Sequence, residues 1–165
     1  MAFEEVNKFT CVLFTDRNNE TDYVDVFSGD DCGAEIGRKG GRQEFSLGNR
    51  WCPVQHGMIL HDLLHVLGFE HMHQHPKRDD FVNIYWENII EGVEPLYARI
   101  DDDRFENFDT PYDYESVMHF GNVTFSKNKK QTLEAIEDDF KDKIGQRKAL
   151  SEGDVKRINR MYSCA

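Results

Sequence analysis

The chain has 165 residues, a length that favours one domain, or at most two small ones, with a real buried core. An apolar fraction of 39% and an aromatic fraction of 12% exclude a disordered chain, and no apolar run is long enough for a transmembrane helix. The formal net charge of −11 disfavours non-specific binding to nucleic acid or an anionic membrane, because the protein's own field repels polyanions.

The first part of the chain is predicted to consist mainly of short strands. Residues 1–9 are typical of the end of a helix, and residues 10–15 (TCVLFT) predict a strand. Residues 22–27 (DYVDVF) alternate between apolar and polar side chains, which predicts a second strand. After a turn rich in Gly and Asp, residues 34–37 and 43–47 predict two further short strands.

Two longer helices are predicted later in the chain. Residues 56–67 (HGMILHDLLHVL) carry apolar side chains at helical spacing, and Gly68 is typical of a helix end. Residues 151–162 begin Ser-Glu-Gly-Asp, a capping pattern, and continue as an amphipathic helix. Between them, a short helix is expected at 86–90 and a loop at 101–124. Strands that come first and helices that come later indicate an α+β fold.

The four cysteines are widely spaced, and none lies in a Cys-x-x-Cys pair, which disfavours a zinc ribbon or a redox dithiol. Their even number favours two disulfides and an oxidising compartment, with four buried thiols in a cytosolic protein as the alternative. The spacing leaves all three pairings open. Because the N-terminus has no signal-peptide pattern, the sequence indicates either a cytosolic protein or a fragment of a longer one.

The segment from His61 to His71 (HDLLHVLGFEH) points to a metal site. His61 and His65 are four residues apart, so on a helix both imidazoles project from one face and can share a zinc ion. Gly68 can adopt a positive φ, and the chain can then turn and bring His71 to the same ion. Three neutral imidazoles leave a fourth position open, as in catalytic zinc sites. We therefore predict one Zn²⁺ per chain, and we expect the histidines that follow, His73 and His75, to lie on the surface.

The same segment resembles the extended zinc motif of the astacins, a branch of the metzincin endopeptidases. The matching residues are His61, His65, Gly68, Phe69 and His71. The resemblance continues through residues 78–80 and 84–89, and residues 112–121 (YDYESVMHFG) are similar to the family's Met-turn block. It extends over nearly the whole chain, from about Phe3 to Cys164.

The resemblance implies one peptidase domain over residues 1–165, with a metzincin-like α+β fold of two lobes. The N-terminal lobe, about 1–70, would hold a small mixed sheet and the zinc-binding helix. The C-terminal lobe, about 71–165, would be irregular and would end in a final helix. Residues 33–37 are similar to the family's edge strand, which would align an extended peptide through main-chain hydrogen bonds.

Further expectations follow from the same resemblance. Met118 would lie in the Met-turn beneath the metal as a hydrophobic floor. The disulfides would be Cys11–Cys164 and Cys32–Cys52. Family members are secreted, so the protein is expected to be extracellular, and the family's start would lie upstream of Met1 in an N-terminally truncated chain.

Three residues depart from the family's pattern. Asp62 stands where the family has Glu, the general base that activates the attacking water, and its stem is one carbon, about 1.5 Å, shorter. Phe120 stands where the family has a Tyr that ligates zinc and assists the oxyanion, and loss of one such donor costs about 10²–10³-fold in rate. Met72 replaces a Glu that supports the mature N-terminus in the family.

The sequence thus predicts a secreted zinc-dependent metalloendopeptidase that hydrolyses peptide bonds in proteins, with Asp62 as the catalytic base. Its partners would be protein or peptide substrates, without nucleic acid and without membrane insertion. The alternative is a catalytically impaired or inactive relative that binds zinc and peptide or protein partners. A third hypothesis is an α+β domain whose histidines serve only packing.

Overall fold

The computed structural model describes residues 2–48 and 55–164, and this part of the chain contains three α-helices and five strands. The helices are α1 (Ala2–Phe9), α2 (His56–Val66) and α3 (Glu152–Met161). The strands are β1 (Tyr23–Phe27), β2 (Cys32–Ala34), β3 (Arg42–Leu47), β4 (Val82–Ile84) and β5 (Leu133–Ala135). Short 3-10 helices lie between α2 and α3, and the one at Trp86–Asn88 is the short helix expected there. The predicted α+β class is confirmed.

The chain divides into two compact units, Met1–Phe69 with Arg147–Ala165, and Glu70–Gln146. The first unit contains all three α-helices and the strands β1 to β3. The second contains β4 and β5. The lobe limits expected from the family, about 1–70 and 71–165, stay a prediction.

The sheet of the first unit is small and mixed. β3 is its central strand, parallel to β1 on one side and antiparallel to β2 on the other. Side chains of β3 alternate, with Gln43 and Phe45 buried and Glu44 exposed. Phe45 has no exposed surface. Leu60, Leu63 and Leu64 of α2 are also fully buried, and each such side chain contributes about 1.5–3 kcal/mol by leaving water.

The strand predicted at residues 10–15 is wrong, because this segment has no regular secondary structure. Two of its backbone donors bond to nearby side chains instead of to a neighbouring strand. The N–H of Val12 donates to Oγ1 of Thr10 at 3.1 Å, and the N–H of Phe14 donates to Oδ1 of Asn7 at 2.8 Å. Local polar side chains therefore satisfy groups that a sheet would otherwise have paired.

A disulfide joins Cys11 to Cys164 across a sequence separation of 153, as the family resemblance implies. It ties the segment after α1 to the residues after α3, both in the first unit. Cys32 lies in β2. Its expected partner, Cys52, lies outside the described residues, so the second pairing stays a prediction.

The second unit holds a two-stranded antiparallel sheet, β4 with β5, which the sequence analysis did not predict. Aromatic rings of this unit pack in pairs: Phe81 stacks on Tyr112 with 4.4 Å between ring centroids, and Tyr114 stacks on Phe140 with 4.6 Å. In the described part of the chain, no helix has the length and apolar character needed to cross a bilayer.

Candidate metal centre

Two of the predicted ligands lie one turn apart on α2. His61 and His65 are 6% and 7% exposed, and their Nε2 atoms are 3.1 Å apart. Two nitrogens that each bind a tetrahedral zinc at the usual bond length are about 3.3–3.4 Å from each other. The spacing of the two rings therefore fits a shared zinc ion.

The end of α2 orients the second ligand. Gly68 adopts a φ of +101°, and its N–H donates to the carbonyl of His65 at 2.8 Å, which ends the helix as expected of this glycine. Nδ1–H of His65 donates to the carbonyl of Phe69 at 2.9 Å. Because a carbonyl can only accept, the proton of a neutral ring is on Nδ1 and the lone pair is on Nε2.

The third predicted ligand joins the other two. One ring nitrogen from each of His61, His65 and His71 lies within 4.8 Å of the others. Nδ1–H of His71 donates to Oε1 of Gln74 at 3.1 Å, so this ring too has its lone pair on Nε2. A set of three neutral imidazoles suits Zn²⁺ in both donor type and number.

Asp62 is the acidic group next to the first ligand. It lies on α2 and is only 7% exposed. Burial raises the pKa of its carboxyl to about 6, and the positive charge of Arg147 opposes this rise. The same burial effect lowers the pKa of Arg147, which the negative charge of Asp62 opposes. Asp62 is therefore a buried carboxyl on the helix that carries two of the predicted ligands.

A family model described as Astacin, a family of peptidases, matches residues 1–163. The chain belongs to the astacin family. It is 40% identical over 167 residues to zinc metalloproteinase nas-6 of Caenorhabditis elegans, covering 99% of this chain and 47% of that protein. It is 38% identical over 165 residues to meprin A subunit beta of Homo sapiens, covering 99% of this chain and 23% of that protein. The chain thus spans less than half the length of either relative.

A solved structure supports the same assignment. High choriolytic enzyme 1, a hatching enzyme zinc-protease from Oryzias latipes, matches with a TM-score of 0.92 and 39% sequence identity. The match covers 99% of this chain and 80% of that chain. This likeness confirms the predicted metzincin-like fold, and the family is one of peptidases.

Residues 112–121, the predicted Met-turn block, lie in the second unit and are mostly buried. Met118 has no exposed surface, and its carbonyl accepts a hydrogen bond from the N–H of Met72 at 3.1 Å. Phe120, predicted to stand in place of a Tyr of the family, is 5% exposed, and its ring centroid is 4.7 Å from that of His71. Phe120 therefore packs directly against a predicted ligand.

The prediction that His73 and His75 lie on the surface is wrong. His73 has no exposed surface, and its ring stacks on Phe120 with 3.8 Å between centroids. Burial holds the pKa of His73 well below its usual value, so the ring is neutral. His75 is 8% exposed and packs edge-on against Phe105 at 4.9 Å. The sequence around these two histidines is mostly polar and gives no sign of their burial, because their aromatic partners lie far away in the sequence.

The candidate edge strand is also in contact with the ligand helix. β2 lies at an edge of the described sheet, and beyond it the N–H of Gly37 donates to the carbonyl of His65 at 2.8 Å. Arg38, the next residue, is exposed and forms an ion pair with Asp22. The backbone after β2 is therefore held against α2 at the level of the second ligand.

Gln74, which bonds to His71, was not predicted from the sequence. Its spacing of three from His71 is the signal that could have found it, because side chains three apart meet across a helical turn. Residues Met72–Gln74 do form a 3-10 helix.

Proposed function

We propose that this chain is the peptidase domain of a zinc-dependent endopeptidase that hydrolyses peptide bonds in proteins outside the cell. The observation that carries the proposal is the approach of three imidazole nitrogens to within 4.8 Å of one another. Membership of a peptidase family supports hydrolysis of peptide bonds as the reaction at this set of donors.

His61, His65 and His71 would hold one Zn²⁺. The bound ion would act as a Lewis acid towards a carbonyl oxygen and would make water more acidic at neutral pH. Two hydrogen bonds orient the rings for metal binding: Phe69 and Gln74 accept hydrogen bonds from Nδ1–H of His65 and His71, respectively. Each of these rings therefore keeps a lone pair on Nε2.

Asp62 is proposed as the general base, because it is the carboxylate that directly follows the first ligand on the buried face of α2. A carboxylate placed beside the metal can accept a proton from water during attack. Its shorter stem places the carboxylate less favourably than Glu, and a misplacement of about 1 Å costs on the order of 10²-fold in rate. We therefore expect a slow peptidase.

The proposed substrates are extended segments of proteins or peptides. The position of β2 at the edge of the sheet formed by the described residues supports this, because an edge strand can pair with the main chain of a substrate. The Cys11–Cys164 disulfide supports an extracellular location, since such bonds persist in oxidising compartments. The net charge of −11 argues against nucleic acid as a partner.

A second candidate function is that of an impaired relative that binds zinc and captures peptides or proteins without cutting them. Two observations favour it together. Asp62 has the shorter stem, and Phe120 is buried beside His71 without a hydroxyl to offer an oxyanion. Each departure is expected to weaken catalysis, and neither removes one of the three histidine ligands.

One experiment separates these functions. The purified chain is incubated with an unstructured protein substrate, without additions, with a zinc chelator, and with zinc restored, while bound metal is quantified on the same sample. The peptidase proposal expects about one zinc per chain and cleavage that the chelator abolishes and zinc restores. The variant His65→Ala should lose metal and cleavage, whereas His56→Ala, half-exposed on the same helix, should keep both.

Stoichiometric zinc with no cleavage at any enzyme concentration would defeat the peptidase proposal and favour the binding function. In that case the double variant Asp62→Glu with Phe120→Tyr should gain activity. Absence of tightly bound metal would defeat both and leave histidines that serve packing.

A further inference from the structure

We infer that Gln74 is a positioning residue for the third metal ligand: its amide oxygen holds the ring of His71 in the tautomer and orientation that metal binding needs. The inference rests on the proposed metal centre. It concerns a side chain that does not itself belong to the three-histidine motif.

The contact is direct. Nδ1 of His71 lies 3.1 Å from Oε1 of Gln74, and an amide oxygen can only accept a hydrogen bond. The proton is therefore on Nδ1. At His65 the backbone carbonyl of Phe69 performs the same task at 2.9 Å. His71 differs because its acceptor is a side chain, which substitution can remove.

The backbone around Gln74 is held in place on several sides. The N–H of Gln74 donates to the carbonyl of His71 at 3.1 Å, and the carbonyl of Gln74 accepts from the N–H of Ile100 at 2.9 Å. Just before it, the N–H of Met72 donates to the carbonyl of Met118 at 3.1 Å. With the main chain fixed by these bonds, only the side-chain torsions of Gln74 must be ordered for its oxygen to reach the ring.

The ring of His71 has a second constraint that does not depend on Gln74. Phe120 packs against it at 4.7 Å between centroids, which limits its position but not its tautomer. The hydrogen bond to Gln74 fixes the tautomer, because it selects the protonated nitrogen and makes the opposite nitrogen a better ligand. Loss of such an outer hydrogen bond costs about 10–100-fold in metal affinity.

The test measures zinc affinity by competition with a chelator, together with the rate at which zinc is lost to excess chelator. Gln74→Leu removes the acceptor and should weaken zinc binding about 10–100-fold. Gln74→Glu keeps an oxygen at the same reach and adds charge, so it should bind zinc at least as tightly as the parent. The matched control is Gln131→Leu in the same unit, because the bond that Gln131 makes to Asn88 uses its backbone carbonyl.

Thermal unfolding of the metal-free variants separates positioning from folding. If Gln74 positions His71, the metal-free midpoints of Gln74→Leu and Gln131→Leu should be similar while their zinc affinities differ. Equal zinc affinity in Gln74→Leu and the parent would overturn the inference and leave the proposed function intact. A parent that binds no stoichiometric zinc would overturn both.

If Gln74→Leu fails to fold, Gln74→Asn and Gln74→Glu decide the question. The Asn side chain is shorter by one carbon and should lose affinity, while Glu should retain it. Equal affinities in these two variants would overturn the inference.

Discussion

At the scale of single residues, Asp62 controls the expected rate. Asp62→Glu moves the carboxylate about 1.5 Å further from the backbone and should raise kcat/KM by on the order of 10²-fold. Asp62→Asn removes the base and should lower kcat/KM by about 10²–10⁴-fold. Cleavage of a quenched fluorescent peptide measures both effects. A Glu variant no faster than the parent, in a protein of unchanged stability, would contradict the argument.

The stability of the Asp62 variants must be measured together with their activity, because Asp62 is only 7% exposed. An extra methylene in a packed site typically costs about 1–3 kcal/mol. The activity of Asp62→Glu is therefore compared per folded molecule.

Phe120 allows a separate prediction. Phe120→Tyr adds a hydroxyl to a ring that already packs against His71, and it should raise kcat by about 10²–10³-fold if that hydroxyl supports the oxyanion. The change should affect kcat more than KM, because the charge develops only in the transition state. Phe120→Leu, which keeps an apolar side chain, is the control and should show no gain. An unchanged kcat in Phe120→Tyr would show that the ring does not face the reacting carbonyl.

The residues of the site were predictable to different degrees. His61 and His65 could be paired from their spacing, because the periodicity of a helix fixes which residues share a face. His71 was added from Gly68, which ends the helix and lets the chain turn back, and the family resemblance pointed to the same residue. The burial of His73 was not predictable, because it depends on Phe120, which approaches only when the second unit folds.

At the scale of elements, two glycines of the second unit make a matched pair. A Cβ on Gly145 would collide with the backbone N and Cα of Gly121, and Gly145 has a φ of +76°. Gly145→Ala should therefore lower the free energy of unfolding by about 2–4 kcal/mol, from backbone strain and overpacking together.

Gly121→Ala is the control for this contact. A Cβ on Gly121 would meet Oγ1 of Thr124 at 3.6 Å and Cα of Gly145 at 3.7 Å, which are ordinary contacts. Denaturant unfolding of both variants should show a large loss only for Gly145→Ala. Equal losses would mean that the chain adjusts around either position.

The elements themselves were predictable where local signals agree. The helix α3 is capped by Ser151, whose Oγ accepts from the N–H of Asp154 at 2.8 Å while the Asp154 side chain accepts from the N–H of Ser151. This reciprocal cap is encoded within four residues, so the sequence reveals it. The strands β4 and β5 pair residues about fifty apart in the sequence and have only three residues each, so no local pattern predicts them.

At the scale of the whole molecule, the residues after α3 are held against the end of the ligand helix. The hydroxyl of Tyr162 donates to the carbonyl of Leu67 at 3.1 Å, one residue before the glycine that ends the turn. The Cys11–Cys164 disulfide anchors the same tail to the segment after α1. The ends of the first unit therefore support the segment that leads away from the ligands on α2.

The Cys11–Cys164 disulfide is expected to stabilise the folded chain. Cys11 and Cys164 are 153 residues apart, and closing so long a loop restricts the unfolded chain strongly. The double variant Cys11→Ser with Cys164→Ser should lose about 2–5 kcal/mol of unfolding free energy, measured by denaturant titration with zinc held constant. As a control, the denaturant titration of the parent and the double variant is repeated in the presence of a reductant. The difference in unfolding free energy between them should then largely disappear, because the reductant breaks in the parent the bond that the variant already lacks. A double variant that unfolds at the same denaturant concentration as the oxidised parent would mean that packing of α3 alone, without the covalent link, holds the two ends together.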